Sequence, residues 1–319
     1  MPQLAEARLE ELFAQAVDAY GQAVAQSGEV RRELCFAGRQ LSLRFAGPAL
    51  AQALLEAMAP RVVGGGGGGL GIRLWTDADP GPWHPCDLGP RGLVRGSSPE
   101  GVSAVYEAGS GALTLFDRPS SRILHHVPDV DEIPWWERAA PLRPALFFAL
   151  ASTRRHLVHA GAVGDPDLGC VLLAGPGGAG KTSLALAAAE HGLRYVGDDY
   201  VLLEDGIAWN LYATAKVDAG PGREKTVIEV DPGSLVEALP IRAVVVPTIG
   251  PERVRAHEIS AGQALLALAP STAFQIPFDR GAVLATLREL AQRVPCHRLD
   301  LGRSAEAAAS ALREVLGGG

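Results

Sequence analysis

Lysine is almost missing from this sequence. Of 29 basic residues only Lys181, Lys216 and Lys225 are lysines, and the rest are arginines. All three lie in one window of the chain. Two readings fit: nucleotide bias with chance, or a site that wants compact ammonium charges for phosphate groups rather than planar guanidinium forks. Cysteine is sparse as well. Cys35, Cys86, Cys170 and Cys296 stand far apart with no C-x-x-C pair, so neither a zinc site nor a disulfide framework is indicated. A reduced, cytoplasmic compartment is the expectation. No apolar run approaches membrane-spanning length, so no membrane partner is expected. A net charge of −7 leaves no general basic field for nucleic acid. The opening stretch MPQLAEARLEELFAQAVDAY is acidic and amphipathic, and it reads as a helix rather than a signal peptide.

What is present suits a globular protein. With 319 residues, 47% of them hydrophobic, the chain can build one large domain or two modest ones. Leu9, Leu12, Phe13, Ala16, Val17 and Tyr20 share one helical face over residues 4–20. RRELCFAGRQLSLRFAG reads as a hairpin turning at Gly38, and a helix is expected at about 48–58. The six glycines Gly64 to Gly69 lack a following Lys-Ser/Thr and read as a loop or linker. Strands are expected at 70–76, 102–106, 112–116 and 121–126, the middle two joined by a Gly109-Ser110-Gly111 turn. VPDVDEIPWWERAAPLRP is Pro-rich and reads as a loop. Its Trp135 and Trp136 suit packing between domains, which places a small α+β domain over 1–140 and a second domain over 141–319. The C-terminal part alternates strands and helices and closes with a helix near 304–316.

The second domain carries one complete phosphate-loop signature. GPGGAGKT, from Gly175 to Thr182, matches G-x-x-x-x-G-K-[ST] with an apolar strand, CVLLA, before it and a Leu/Ala-rich helix after it. The spacing has a physical reason. Glycines let backbone N–H groups turn inward on phosphate oxygens, and the helix N-terminus adds favourable partial charge. Gly175, Gly177, Gly178, Ala179, Gly180, Lys181, Thr182 and Ser183 are the expected nucleotide-binding residues. Lys181 reaches for the outer phosphates, and the Thr182 hydroxyl is a Mg²⁺ ligand. Beyond the helix, LRYVGDDYVLL sets Asp198 and Asp199 at a break between two strands. Successive residues on extended chain point to opposite sides, so the pair can face a metal and a second group. The alternative is a turn with two solvated acids.

The order HLVHAGAV, GPGGAGKT, GDDYVLL resembles the catalytic domain of the HPr serine kinase/phosphorylase family. It is more closely similar to the HPr-kinase-related proteins of peptide-modification clusters, such as lasso peptide kinases. Weaker similarity runs through LYATAKV, LAPSTAFQ and VPCHRLDLG, and upstream to LRPALFFAL. The resemblance implies an α/β fold: a P-loop kinase domain whose core resembles phosphoenolpyruvate carboxykinase, behind a smaller α+β N-terminal domain. It implies ATP and Mg²⁺ as cofactors. His159 matches the family's histidine near the transfer centre, Asp198 the acid that takes the acceptor's proton, and Asp199 the acid beside Mg²⁺. Read by itself, without the resemblance, His159 is better taken as a hydrogen-bonded core histidine. The family's second glycine-rich signature, used for binding HPr and for dephosphorylation, is absent here. In its place stands YATAKVDAGPGREKTVIEV, in which Lys216, Arg223 and Lys225 surround a Gly-Pro-Gly loop. This is either a solvated turn or a loop that closes cations over a transferring phosphate, with Arg223 and Lys225 as catalytic groups.

The expected activity is transfer of the γ-phosphate of ATP to a Ser or Thr hydroxyl of a peptide or protein, such as a natural-product precursor. A kinase for a small hydroxylated metabolite and a non-catalytic ATP-binding regulator are the alternatives.

Overall fold

The computed structural model describes residues 6–64, 70–76, 93–97, 101–150, 154–218, 220, 224–250, 253–273 and 280–318. The fold is mixed α/β, and the chain divides into two compact units, Met1–Ser152 and Thr153–Gly319. No helix among the described residues is long and apolar enough to cross a membrane.

The first unit opens with α1 (Glu6–Ser27), which outruns the apolar stripe that announced it. β1 (Glu29–Phe36) and β2 (Arg39–Ala46) form the expected hairpin. It turns through Ala37 and Gly38, at φ 49° and 70°, the two-residue turn whose twist matches the strands it joins. α2 (Pro48–Leu55) starts on proline and runs into a 3₁₀ turn, Glu56–Arg61. Then come β3 (Val62–Val63), β4 (Leu70–Thr76), β5 (Leu93–Ser97), β6 (Val102–Glu107), β7 (Ala112–Asp117) and β8 (Arg122–Val127). One eight-stranded sheet results, in the order β3-β1-β2-β4-β8-β7-β6-β5. It is parallel where β4 meets β2 and β8, and antiparallel elsewhere. β5 carries no pattern that announced it. Of the six-glycine run, only Gly64 falls within the described residues. Leu9, Leu12, Ala16 and Tyr20 of α1 are buried with Trp75 of β4 and Val102, Ala104 and Tyr106 of β6.

The Pro-rich segment is not simply a loop. It contains α3 (Trp135–Ala139) and leads into α4 (Arg143–Leu150), which lies on β7 and β8. Glu137, 1% exposed, accepts hydrogen bonds from the Leu142 N–H and the Arg143 guanidinium, each at 3.0 Å. A carboxylate three residues into a helix thus fixes the turn that begins the next one. Trp135 and Trp136 meet edge to face, with centroids 5.5 Å apart. The first unit runs on to Ser152, beyond residue 140, because the apolar face of α4 has its sheet there.

The second unit comprises β9 (Arg155–Val158), β10 (Gly161–Asp165), β11 (Gly169–Leu173), α5 (Lys181–Glu190), β12 (Arg194–Gly197), β13 (Val201–Glu204), β14 (Ile207–Trp209), β15 (Thr214–Val217), β16 (Thr226–Glu229), β17 (Ala238–Thr248), β18 (Arg255–Glu258), α6 (Ala261–Ala273), α7 (Arg280–Arg293), β19 (Cys296–Asp300) and α8 (Ala305–Gly317). The main sheet runs β12-β10-β11-β17-β14-β13-β9, with β19 on β17 and β18 on β19, while β15 and β16 form a separate hairpin. β17 belongs to both arms: its first residues pair with β14, and its later ones lie parallel to β11 and β19. β11 is buried along its whole length, as a strand covered on both faces must be. Leu184, Ala185 and Ala188 of α5 close a core with Ala308, Leu312 and Leu316 of α8 and with Val171, Leu173, Val245 and Leu299 of the sheet. His156 lies in β9 opposite Leu203.

One buried histidine makes the first unit sensitive to acid. His125 of β8 is 0% exposed and pairs through Nδ1 with the Thr114 hydroxyl at 2.9 Å. Burial lowers its pKa to about 4; nearby Glu137 opposes the shift and His126 adds to it. Because the folded pKa lies below the ordinary one, the unfolded chain binds more protons between pH 6.5 and pH 4. The stability this group contributes is therefore present above about pH 6.5 and is lost as pH falls toward pH 4, by about 3 kcal/mol. Denaturant titrations of wild type and His125→Gln should converge over this window by about 2–3 kcal/mol. Parallel pH profiles would show that His125 titrates normally.

Candidate active site

The chain crosses twice between the arms of the second unit's sheet. β9 passes to β10 through His159 and Ala160, and β12 passes to β13 through Asp198, Asp199 and Tyr200. The two crossings run against each other. A Cβ on Gly161 would lie 3.3 Å from the Gly197 carbonyl oxygen and 3.4 Å from the Asp198 Cα. A hydrogen atom at that position lets residues distant in sequence share one site.

Between β11 and α5 the phosphate loop takes conformations that require glycine. Gly175, Gly178 and Gly180 hold φ at 144°, 82° and 93°, a region L-residues rarely enter. Gly180 is the N-cap of α5 and offers no side chain to the first-turn N–H groups, which leaves those donors for a ligand. Gly177 has open space where a Cβ would stand. Ala179 donates its N–H to the Pro176 carbonyl at 3.2 Å. Lys181 folds back across the loop: it is 7% exposed, and its Nζ donates to the carbonyls of Gly175 at 2.7 Å and Pro176 at 3.2 Å. Burial lowers its pKa, against the pull of Asp199 and Asp198, and Lys225 lowers it further. Ser183 is exposed.

The aspartates diverge. Asp198, 3% exposed, accepts from the Thr182 hydroxyl and from the backbone N–H of Lys216. The Tyr195 phenol stands beside it and donates to the Thr214 carbonyl at 3.3 Å. Asp198 Oδ2 is buried with no hydrogen-bond partner among the described residues. Burial, and secondarily the charge of Asp199, raises this carboxyl to about 6. Asp199 faces the other way. Its Oδ1 lies 3.1 Å from His159 Nε2, and its Oδ2 accepts from Lys216 Nζ at 2.5 Å. Although burial pushes it upward, the Lys216 ammonium and then His159 hold this carboxyl far below the usual range. His159 is fixed in turn: its ring lies on Tyr200, with centroids 5.2 Å apart, and its backbone N–H donates to the Thr272 hydroxyl of α6 at 3.2 Å. Two adjacent carboxyls with opposed proton affinities are the pattern of a divided chemical task.

The structure thus brings together the phosphate loop, Thr182, both aspartates, His159 and Lys216. Thr182 and Asp199 were expected to share Mg²⁺; in the structure the Thr182 hydroxyl bonds Asp198. Lys225 is exposed at the start of β16, near enough to act on Lys181. Arg223 lies outside the described residues. Tyr195, Tyr200 and Thr272 were not anticipated. A signal existed for the first two, since the chain has 5 tyrosines and two of them bracket the aspartate pair. Thr272 had none. No group of three or more His, Cys, Asp or Glu side chains suited to hold a metal occurs among the described residues. Mg²⁺ does not call for one: it takes one or two carboxylates and completes its shell with phosphates and water. The unpartnered Asp198 Oδ2 and the Thr182 hydroxyl fit that requirement. No protein-family model matches the chain, and no curated protein matches it.

Asp198 is kept at a cost to the fold. Its raised pKa means that the folded state binds a proton more tightly than the unfolded one. Its contribution to stability is full below about pH 4 and is lost as pH rises through about 6. In chelator, without nucleotide, Asp198→Asn should therefore raise stability at pH 7.5 by about 1–3 kcal/mol and by much less at pH 4. An equal change at both pH values would mean that the carboxyl is not strained by ionisation.

Proposed function

We propose that this chain is an ATP- and Mg²⁺-dependent kinase that phosphorylates a hydroxyl group, with Ser or Thr of a peptide or protein as acceptor. The observation that carries the reading is the parting of the aspartates beside the phosphate loop. One carboxylate joins Thr182, and a second, held anionic by Lys216, is left over next to His159. A protein that only bound nucleotide would need the first alone. The order of histidine, phosphate loop and aspartate pair resembles HPr kinases. On this reading the second unit is a P-loop kinase domain related to theirs and to phosphoenolpyruvate carboxykinase.

The roles follow from position. The loop N–H groups and Lys181 hold the outer phosphates, with Lys181 exchanging its two carbonyl partners for phosphate oxygens. Thr182 and Asp198 hold Mg²⁺, which neutralises charge on the phosphates when bound. Asp199 orients the acceptor hydroxyl. As the acceptor oxygen bonds to the γ-phosphorus and the bond to the leaving oxygen of ADP breaks, the hydroxyl proton passes into the Asp199–His159 pair. Lys216 keeps Asp199 ionised until then. This reverses the division implied by resemblance, which gave the proton to Asp198 and the metal to Asp199. Little covalent chemistry is asked of the protein; positioning and charge do most of it.

Two variants separate the roles. Asp198→Asn should weaken Mg²⁺-ATP binding, most visibly at low Mg²⁺. Asp199→Asn should leave binding within a few fold and lower kcat by about 10²–10⁴. Lys181→Ala should lose binding. Equal losses of affinity in both aspartate variants would overturn the division. The acceptor is tested by incubating the protein with ATP, Mg²⁺ and candidate Ser/Thr peptides and reading added phosphate by mass. Phosphorylation of a free hydroxy metabolite instead would move the assignment to a small-molecule kinase, and ATP binding with no acceptor of either kind would favour a regulator.

A further inference from the structure

The phosphate loop has two flanks. In the sheet order β12-β10-β11-β17, with β19 on β17, the loop follows β11. On the β12 side stand Asp198, Asp199 and His159. On the other side, the chain leaving β17 and the chain leaving β19 border the loop at Gly180. A Cβ built on Gly180 would meet Leu301 Cδ1 at 2.6 Å and Ile249 Cγ1 at 3.8 Å. The two post-strand segments are tied, because the Leu301 N–H donates to the Thr248 carbonyl at 3.0 Å. Leu301 rests on the core below, whereas Ile249 is 72% exposed. A large aliphatic side chain held out in water beside the N-cap of α5 has no role in the core.

Resting on the kinase reading, we infer that Ile249 and Leu301 form the seat for the nucleoside of the bound nucleotide, with the base lying flat on this aliphatic shelf. In-line displacement sets the acceptor oxygen and the leaving oxygen on opposite sides of the phosphorus. The acceptor comes from the Asp199 flank, so the ADP half leaves toward Ile249 and Leu301. Gly180 has no Cβ because Leu301 occupies that space, which brings the shelf within reach of a base whose phosphates lie in the loop. The shelf offers surface rather than hydrogen bonds at its centre, so it binds the face of the base.

The test compares Mg²⁺-ATP with inorganic tripolyphosphate, which has the phosphates and no nucleoside. Ile249 is exposed, so its replacement leaves the fold intact. Ile249→Ala should weaken ATP binding by about fivefold, through lost apolar contact. Ile249→Trp should tighten it by about fivefold or more, through stacking on the base. Tripolyphosphate affinity should stay within twofold in both. A gain in the tryptophan variant is a result that mere damage to the loop would not give. If ATP and tripolyphosphate shift together, if neither shifts, or if wild type binds ATP no more tightly than tripolyphosphate, the shelf is wrong while the phosphate loop stands. If wild type binds neither, the kinase reading falls and the shelf with it.

Discussion

The candidate site depends on the close approach of two backbone crossings at Gly161. The segment carrying His159 and the segment carrying the aspartate pair pass between the same two arms of the sheet, and they touch where a Cβ would meet backbone. Packed backbone does not yield as a flexible side chain does. The separation of His159 from Asp199 is therefore set by the sheet, and the 3.1 Å contact follows from it. The same sheet places β11 beside β10, so the phosphate loop opens next to the crossings.

Charge then completes what the backbone arranges. Asp199 is held by Lys216, which stands on the separate β15–β16 hairpin, and the Lys216 backbone N–H also reaches Asp198. One residue thus ties a two-stranded hairpin to both acids. An ion pair this sheltered contributes little net stability, since desolvation offsets most of its attraction. Its value lies in holding one carboxyl ionised beside another that resists ionisation. The three lysines now have a common context. Lys181 lies in the loop, Lys216 on Asp199, and Lys225 close enough to act on Lys181. Composition alone left chance and function level; convergence of all three on one site favours function.

Much of the local structure was legible because it rests on short-range physics. The β1–β2 hairpin followed from alternation and a glycine, and the loop between β11 and α5 from its signature. The segment around Trp135 was less legible. Its prolines argue against a helix, but Glu137 satisfies Leu142 and Arg143 within a buried turn, a compensation that composition does not reveal. β5 was missed because its partner is β6, a neighbour that composition does not reveal.

By itself the sequence determined that a glycine-rich loop stands between a buried strand and a helix, and that two adjacent acids sit at a strand break. Glycine's access to positive φ and the alternation of extended chain are local properties, so residue order decides them. It did not determine which acid meets Thr182. That depends on the side from which β12 approaches the loop, and on Lys216 arriving from a hairpin that pairs with no strand of the main sheet. Such placements come from sheet order and long-range contact. The shelf at Ile249 and Leu301 was equally hidden, since two aliphatic residues some fifty positions apart become neighbours only because β17 and β19 lie side by side.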